Sequence, residues 1–309
     1  MWILIDLSYL AHRALHAMDG MENEDIPTGV MFGFFEQLYT VCSNIRFASN
    51  KIGVFTDSRK SYRSRAFPAY KKKRREDRTE EEQEKVEMMY EQVRILKKEW
   101  LPDMGIPVYG QVGLESDDLL AQASLSLTKE KERGTVITSD GDLYQCISPY
   151  ISWYDPQRNL YYDHKNFEEK KGISYEKWGM VKAIGGCSTD CVPGIKDVSE
   201  KGAIDFILDK LPHHYKKYQT ITSIMPTDTF ELWKELTVLP HRKTKPVELK
   251  LPEYDPKSFF DYCKKYGMDS YLEGQGKAQW QAFFKGQFID VPMIRREKKI
   301  LTRRRRALV

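Results

Sequence analysis

Short apolar segments, each of strand length, set the pattern of this chain. They run up to Asp6, up to Asp57, around residue 108 and up to Asp140, and longer segments with helical spacing lie between them. Apolar runs of this length are typical of buried strands. Strands that alternate with helices predict an α/β fold with a mostly parallel, twisted sheet flanked by helices.

The segment before residue 102 has the spacing of an amphipathic helix. Its apolar residues recur at steps of three and four, which places them on one helix face: Val86, Met89, Tyr90, Val93, Leu96 and Trp100. Pro102 is predicted to stop this helix. Such a stripe is more often an ordinary core contact than a substrate channel, and we expect Met89 and Tyr90 to pack.

Acidic residues follow three of the predicted strands. Asp6, Asp57 and Asp140 each end an apolar run, and Asp142 comes directly after the third. The segment "GLESDDLLAQAS" adds Glu115, Asp117 and Asp118 before an apolar helix. Ligands of parallel sheets gather beyond the carboxyl ends of the strands, so these side chains are predicted to meet there. A single aspartate at such a turn can equally be a helix cap.

Seven carboxylates at one edge would repel each other and raise each other's pKa unless cations neutralised them. Carboxylate oxygens suit Mg²⁺ and Mn²⁺, whereas the chain lacks the His and Cys set that a zinc site prefers. Two such ions can activate a water and stabilise the leaving oxygen of a phosphodiester. The pattern therefore predicts metal-dependent phosphoryl hydrolysis.

Composition excludes several other classes. The 309 residues contain no apolar run long enough to span a bilayer, and Asp6 comes too early for a secretory signal. Five cysteines form no dense framework and are expected to be reduced. We therefore expect a cytoplasmic protein.

Positive charge is concentrated in two segments. Residues 59–78 carry ten basic and two acidic residues, and residues 295–306 carry eight and one, so the rest of a chain of net charge +4 holds about −11. A basic segment beside an acidic body suits a polyanion held against carboxylates, although charge runs are also common as solvated faces. Beyond residue 180 the chain becomes helical, with a predicted boundary between 175 and 185.

Six motifs, in order, resemble the 5′ nuclease superfamily of phage and bacterial 5′-3′ exonucleases and flap endonucleases. They are "LIDLSYLAHRA", "PTGVMFGFFEQL", "VFTDSRKSYRSRAFPAYKKKR", "LESDDLLA", "TSDGDLYQ" and "GGCSTDCVPG", within about residues 1–210. The resemblance implies a PIN-like nuclease core over residues 1–180 with a helical arch at about 65–102. It further implies a helical DNA-binding subdomain over 181–290 with a divergent helix-hairpin element, and a basic tail over 291–309.

The resemblance also implies roles for individual residues. Two divalent ions, Mg²⁺ or Mn²⁺, would be held by eight acids: Asp6, Asp57, Glu115, Asp117, Asp118, Asp140, Asp142 and Asp190. Asp57, Glu115, Asp117 and Asp118 would serve chiefly the first ion, with Asp6 hydrogen-bonded to its water shell. The second ion would be served by Asp140, Asp142 and Asp190. Lys71 and Arg74 would steer the scissile phosphate and act with Asp6 in catalysis.

DNA contacts are implied at a further set of basic positions: Arg13, Arg63, Lys71, Lys72, Arg74, Arg75, Lys196 and Lys201. For Lys72, Lys73 and Arg75, a solvated helix face is the alternative interpretation. The implied partner is DNA with a free 5′ end, a flap or a branched junction, and an RNA–DNA hybrid is a further candidate. We expect a monomer without membrane contact, with replication proteins acting in trans.

Two departures from the family pattern change these expectations. Cys187 stands where the family usually has an aspartate of the second metal site, and Cys191 stands where Asn is usual. A thiol is a poor ligand for Mg²⁺, which predicts weaker binding or a preference for Mn²⁺, unless water or Asp190 compensates. Asp197 and Ser199 replace two glycines of the helix-hairpin turn, which argues against a K⁺ site there and weakens duplex binding.

The expected function is a 5′ nuclease that trims or removes 5′-terminated strands, including RNA primers or flaps, as in phage-type replication. A different class of interpretation is a branched-DNA-binding protein of the same fold that has lost turnover with its second ion. The number of intact acids favours the enzyme.

Overall fold

A computed structural model describes residues 1–18, 20–44 and 49–287, except for the side chain of Arg75. The predicted basic tail over 291–309 therefore lies outside the described residues. The strands are β1 (Trp2–Asp6), β2 (Glu22–Asn23), β3 (Ile26–Pro27), β4 (Lys51–Phe55), β5 (Val108–Tyr109), β6 (Gly134–Ile137), β7 (Ile151–Asp155) and β8 (Leu160–Tyr162).

The helices account for most of the remaining described chain. The first seven are α1 (Leu7–Ala17), α2 (Gly29–Ser43), α3 (Tyr62–Ala66), α4 (Lys73–Glu76), α5 (Glu80–Ile95), α6 (Leu101–Asp103) and α7 (Ser116–Glu130). The others are α8 (Asn166–Lys171), α9 (Trp178–Gly185), α10 (Glu200–Ile207), α11 (Lys216–Ile224), α12 (Asp228–Thr237), α13 (Pro256–Lys265) and α14 (Gly274–Phe284). In the described part of the chain, no helix is long and apolar enough to cross a membrane.

A six-stranded sheet forms the centre, in the order β5-β4-β1-β6-β7-β8. All neighbouring pairs are parallel except β7 with β8. The prediction of a mostly parallel sheet flanked by helices is confirmed. Side chains alternate along β1, with Ile3 and Ile5 in the core on one face and Trp2 and Leu4 in the core on the other. Helices therefore cover both faces.

Residues 62–103 contain α3, α4, α5 and α6, and α5 packs against α1 and α2 beside the sheet. Thr79 begins α5 with a capping box, since its hydroxyl accepts from Glu82 N and the Glu82 carboxylate accepts from Thr79 N. Val86, Met89, Val93 and Leu96 are buried against α1 and α2, as the apolar spacing predicts, but Tyr90 is exposed.

Beyond α5 the helix continues through one π-helical turn, Leu96–Trp100, into α6, where Pro102 occupies the first turn. Gln92 is a buried polar residue on the packed face of α5. Its Oε1 accepts hydrogen bonds from the backbone N–H groups of Val30 and Met31, 2.9 and 3.2 Å away, and so caps the start of α2. The Gln92 side chain therefore holds α5 against α2.

The C-terminal helices divide between the two cores, and the subdomain predicted for 181–290 stays a prediction. Helices α9, α10 and α12 pack with α7 on one face. In contrast, Phe259 of α13 packs on Phe35 and Trp100 on the other face. Trp280 of α14 also packs on Phe35. Residues 253–255 carry the chain across, with Glu253 N bonded to Gly105 O. Helices α13 and α14 thus belong to the core beneath α1 and α2.

Candidate active site

Carboxylates gather at the carboxyl edge of the sheet, as the sequence predicts. Asp6 is the last residue of β1, Asp57 follows β4, and Asp140 follows β6. The N-terminus of α7 adds Glu115 and Asp117 from above the same strands. Parallel strands place their carboxyl ends together, so residues far apart in sequence converge here.

Ser116 ties two of these acids together. Its backbone N–H donates to Asp57 Oδ1 over 2.8 Å, and its hydroxyl donates to Asp6 Oδ1 over 3.4 Å. The same oxygen of Asp6 caps α1 by accepting from Tyr9 N. The capping and clustering interpretations of Asp6 are therefore both correct. Burial, and next the charge of Asp57, raise the pKa of Asp6 to about 7.

The pKa values of Asp140 and Asp117 are raised in the same way. Burial, and next the charge of Asp142, raise the pKa of Asp140 to about 6. Burial, and next the charge of Asp140, also raise the pKa of Asp117 well above its usual value, although Lys71 opposes this. Each carboxylate is thus destabilised in its charged form by its neighbours. Such a cluster gains most from a nearby cation.

Two basic residues reach over the cluster, Lys71 from the segment before α4 and Arg74 from α4 itself. Lys71 Nζ lies 3.1 Å from Glu115 Oε2 and 3.8 Å from Asp190 Oδ2. The Arg74 guanidinium bonds Asp190 Oδ1. Burial lowers the pKa of Lys71, but the charges of Glu115 and Asp190 outweigh it and raise that pKa above its usual value. Both side chains therefore carry positive charge at the acid cluster.

Tyr70 and Lys182 are site residues that the sequence reasoning missed. The Tyr70 hydroxyl lies 2.9 Å from Glu115 Oε2 and 3.1 Å from Asp190 Oδ2, and so links the two halves of the cluster. Lys182 Nζ of α9 lies 2.9 Å from Asp142 Oδ1. The "YKKKR" stretch offered a signal for Tyr70. Lys182 had none beyond its place on a helix before "GGCSTDC".

The second half of the cluster is compact. The ligand atoms of Asp142, Cys187 and Asp190 all lie within 4.8 Å of one another. Cys187 and Asp190 come from one tight loop, in which the N–H of Asp190 donates to the carbonyl of Cys187. Burial, and next the charge of Asp142, raise the pKa of the Cys187 thiol. The position that departs from the family pattern thus faces the acids.

Asp118 and Arg63, predicted as a metal ligand and a DNA contact, are paired with each other. Arg63 is only 2% exposed, and its Nη1 and Nη2 lie 2.6 and 2.8 Å from the two carboxylate oxygens of Asp118, which is fully buried. Asp118 also accepts from the N–H groups of Glu115 and His241. Protein donors thus engage both oxygens of Asp118, and the roles predicted for Asp118 at a metal ion and for Arg63 at DNA stay predictions.

The pKa of Asp118 reflects the same pair. Burial raises that pKa, but the hydrogen bonds and charge of Arg63 outweigh burial and hold it below its usual value. Arg63 also donates to the carbonyl of Leu236 at the end of α12. The ion pair therefore ties α3, α7 and α12 together beneath the site.

The remaining basic residues predicted to bind DNA lie at or near the surface. Arg13 is half-buried, with its guanidinium 5.8 Å from the Tyr9 ring centroid. Lys72, Lys196 and Lys201 are exposed. The side chain of Arg75 lies outside the described structure. Their contacts with DNA stay predictions.

The two replacing residues have defined places in the turn that resembles a helix-hairpin element. Asp197 adopts the left-handed conformation, with φ of 63°, and the hydroxyl of Ser199 caps α10 by accepting from Gly202 N. Upstream, Gly194 approaches Gly186 so closely that a Cβ at 194 would lie 2.4 Å from the Gly186 nitrogen. Both glycines are therefore needed where the turn packs against the Cys187 loop.

The donor set fits divalent cations. Glu115, Asp117 and Asp57 would hold one ion through oxygen atoms alone, which is the ligand type that Mg²⁺ prefers. Asp140, Asp142 and Asp190 would contribute to a second, beside Cys187. The raised carboxyl pKa values indicate negative charge that protein cations balance only in part. Lys71, Arg74 and Lys182 supply that part.

Comparison with known sequences finds a family model and relatives named as 5′-3′ exonucleases and DNA polymerases. Residues 1–172 match the model of the 5′-3′ exonuclease N-terminal, resolvase-like domain. A 5′-3′ exonuclease of Buchnera aphidicola from Schizaphis graminum is 24% identical over 261 residues, covering 84% of this chain and 83% of the relative. Thermus aquaticus DNA polymerase I is 29% identical over 202 residues, which cover 65% of this chain but only 23% of the polymerase.

Solved structures share the fold. The T5 D15 protein co-crystallised with metal ions superposes with a TM-score of 0.65 at 20% identity, covering 77% of this chain and 89% of that one. Human GEN1 in complex with Holliday junction DNA superposes with a TM-score of 0.56 at 14% identity, covering 88% and 70% of the two chains. With a family model that matches more than half its length, this chain belongs to the 5′-3′ exonuclease family.

Proposed function

We propose that the chain is a metal-dependent 5′ nuclease that hydrolyses phosphodiester bonds at or near the 5′ ends of DNA. One observation carries this proposal. A buried carboxylate cluster and the cations of Lys71 and Arg74 meet at the carboxyl edge of the sheet. Carboxylates alone would repel a phosphate, whereas this arrangement offers acids for metal ions and basic groups for the phosphate.

Lys71 and Arg74 have the chemistry to bind the reacting phosphate. The guanidinium can bond two phosphate oxygens at once, and the ammonium supplies a compact positive charge. Both are held by Asp190, which anchors them over the cluster. Their charge would be most useful where negative charge develops in the transition state.

Two Mg²⁺ or Mn²⁺ ions, when bound, would supply Lewis-acid activation of water and of the leaving oxygen. Glu115, Asp117 and Asp57 would hold the first, and Asp140, Asp142 and Asp190 the second. Asp6 keeps Ser116 in place and adds negative charge beside Asp57. The divalent ions named for the solved T5 relatives support this assignment.

DNA with a free 5′ end, a flap or a branched junction is the proposed substrate. The T5 D15 flap endonuclease, crystallised with DNA and metal ions, and the DNA complexes of Rad2 and GEN1 support this class. An RNA segment at the 5′ end is a further proposed substrate. Action as a monomer, with replication proteins in trans, completes the proposal.

The test compares matched branched duplexes. A 5′-flap duplex, the equivalent 3′-flap duplex and a 5′-flap with RNA at its tip are labelled at both ends of the cleaved strand. We expect metal-dependent cutting of the 5′-flap, with products near the branch or short 5′ products, and little cutting of the 3′-flap. Equal cutting of both polarities would contradict the proposal.

A protein that binds branched DNA without hydrolysing it is the second candidate, because Cys187 replaces an expected second-site aspartate. The remaining acids at the same edge favour hydrolysis. Tight binding of the 5′-flap with no cleavage in Mg²⁺ or Mn²⁺ would favour this candidate.

A further inference from the structure

The cluster of Asp142, Cys187 and Asp190 differs chemically from the rest of the acid edge. Its donors are two carboxylates and one sulfur, within 4.8 Å of one another. Two metal–ligand bonds together span at most about 4.5 Å, so small side-chain rotations would bring all three donors to one ion. Asp142 lies in the turn after β6, whereas Cys187 and Asp190 come from the loop after α9.

Cys187 is placed in the cluster by its backbone. Its N–H donates to the Val192 carbonyl, and the N–H of Val192 donates back to the Cys187 carbonyl, which closes the loop 187–192. Cys187 belongs to a small buried cluster with Tyr70, Val192 and Leu236, while its Sγ lies 3.1 Å from Thr189 Oγ1. The sulfur therefore has one apolar wall and one polar, acidic wall.

The acids beside the sulfur are unequally balanced. Asp190 is bonded by Tyr70 and Arg74. Asp142 Oδ1 is buried and, among the residues that the structure describes, receives no well-directed hydrogen bond. The charge of Lys182, whose Nζ lies 2.9 Å away, balances it. A buried carboxylate oxygen in this state is an available cation ligand.

We propose that the Cys187 sulfur is a direct ligand of the second divalent ion, together with Asp142 and Asp190. The inference rests on the proposed nuclease function and names the metal class of its second subsite. Thiolate sulfur is a soft donor, so this subsite would select thiophilic ions such as Zn²⁺, Co²⁺ or Cd²⁺ over Mg²⁺. The all-oxygen subsite at Glu115 and Asp117 would keep its preference for hard ions.

Binding at Cys187 balances as a proton exchange. The S–H bond breaks, a sulfur–metal bond forms, and the proton passes to solvent, with no change in oxidation state. Ion uptake at this subsite should therefore release a proton that uptake of Mg²⁺ by carboxylates does not.

The test titrates Cd²⁺ into the metal-free, full-length protein without DNA and follows the ultraviolet thiolate-to-cadmium charge-transfer band. The variants are Cys187→Ser, the matched control Cys191→Ser four residues away, and Cys187→Asp. We expect the wild type and Cys191→Ser to develop the band. In Cys187→Ser the band should vanish, with Cd²⁺ affinity at least about tenfold lower, since even supporting residues of metal sites are worth that much.

Cys187→Asp should lose the band and gain affinity for Mg²⁺, which also guards against a folding defect as the cause of the loss. A wild type that shows no band, or an equal band in Cys187→Ser, would overturn the inference. Because the readout needs no turnover, a failed band with normal flap cleavage refutes this inference alone. A normal band without cleavage would instead count against the proposed function.

Discussion

Replacing Arg63 by methionine should lower the thermal stability of the protein without removing a DNA contact. Methionine keeps most of the side-chain length but leaves the Asp118 carboxylate without its bidentate partner. Asp118 is fully buried, so the orphaned charge cannot be hydrated. The carbonyl of Leu236 loses a donor as well.

Breaking one partner of a buried ion pair costs about 3–5 kcal/mol. At about 2 °C per kcal/mol for a chain of this size, the thermal midpoint near pH 7 should fall by about 6–10 °C. In the wild type, Arg63 holds the pKa of Asp118 low, so this stabilisation is present above the unfolded pKa, near 4, and is lost as pH falls through the lower folded value. In the variant, Arg63 no longer opposes the effect of burial, which raises the pKa of Asp118, although the N–H groups of Glu115 and His241 still lower it. The deficit should therefore shrink as pH falls toward about 5.

Thermal unfolding of the metal-free protein, followed by circular dichroism at about pH 7.5 and about pH 5, measures both effects. The double variant Arg63→Met with Asp118→Asn should recover much of the loss, because no charge stays buried. Flap-DNA affinity of the folded Arg63→Met protein should be unchanged. A midpoint shift below about 2 °C, together with weaker DNA binding, would show that Arg63 is a DNA contact after all.

Three further predictions follow from the site and its support. Asp6 and Asp140 have pKa values raised to about 7 and about 6, so each stabilises the fold below the unfolded pKa near 4 and loses this contribution as pH rises through 6 to 7. Calorimetry of the metal-free protein, with and without added Mg²⁺, should therefore find that Mg²⁺ stabilises the fold more at about pH 8 than at about pH 5.5. An equal effect at both pH values would contradict the interpretation that crowding raises these carboxyl pKa values. Gln92→Ala should cost about 2 kcal/mol in urea unfolding, because two buried N–H groups lose their acceptor, whereas Gln83→Ala on the exposed face of α5 should cost little. Lys71→Ala and Arg74→Ala should each slow single-turnover cleavage by about 10²–10³-fold, with the exposed neighbour Lys73→Ala as control, and normal rates in both would refute their role at the phosphate.

Local pattern was enough to predict the sheet and the gathering of acids. Apolar runs that end in Asp6 and Asp140 predict parallel strands, and parallel strands bring their carboxyl ends together whatever the intervening chain does. The helical stripe through Val86 and Val93 likewise predicts a packed face. These features depend on periodicity, which a sequence displays directly.

Pairing between distant residues was not predictable in this way. Nothing local distinguishes Asp118 from Asp117, yet helix geometry turns one toward Arg63 and the other toward Asp140. Adjacent residues on a helix point about 100° apart, so only one of the two can face the cluster. The packing of α13 and α14 in the same core as α1 and α2 was equally unpredictable, because their aromatic faces could have packed on either side of the sheet.

Single-turnover cleavage of a 5′-labelled flap duplex tests the central claim most directly, with wild type and Asp140→Asn compared in Mg²⁺ and in EDTA. Binding of the same duplex in EDTA is measured alongside. The acid cluster predicts cleavage by the wild type in Mg²⁺ only, and an Asp140→Asn protein that binds the duplex but does not cut it. Cleavage that persists in EDTA, or an Asp140→Asn variant that cuts as fast as the wild type, would contradict the claim that this cluster is the nuclease site.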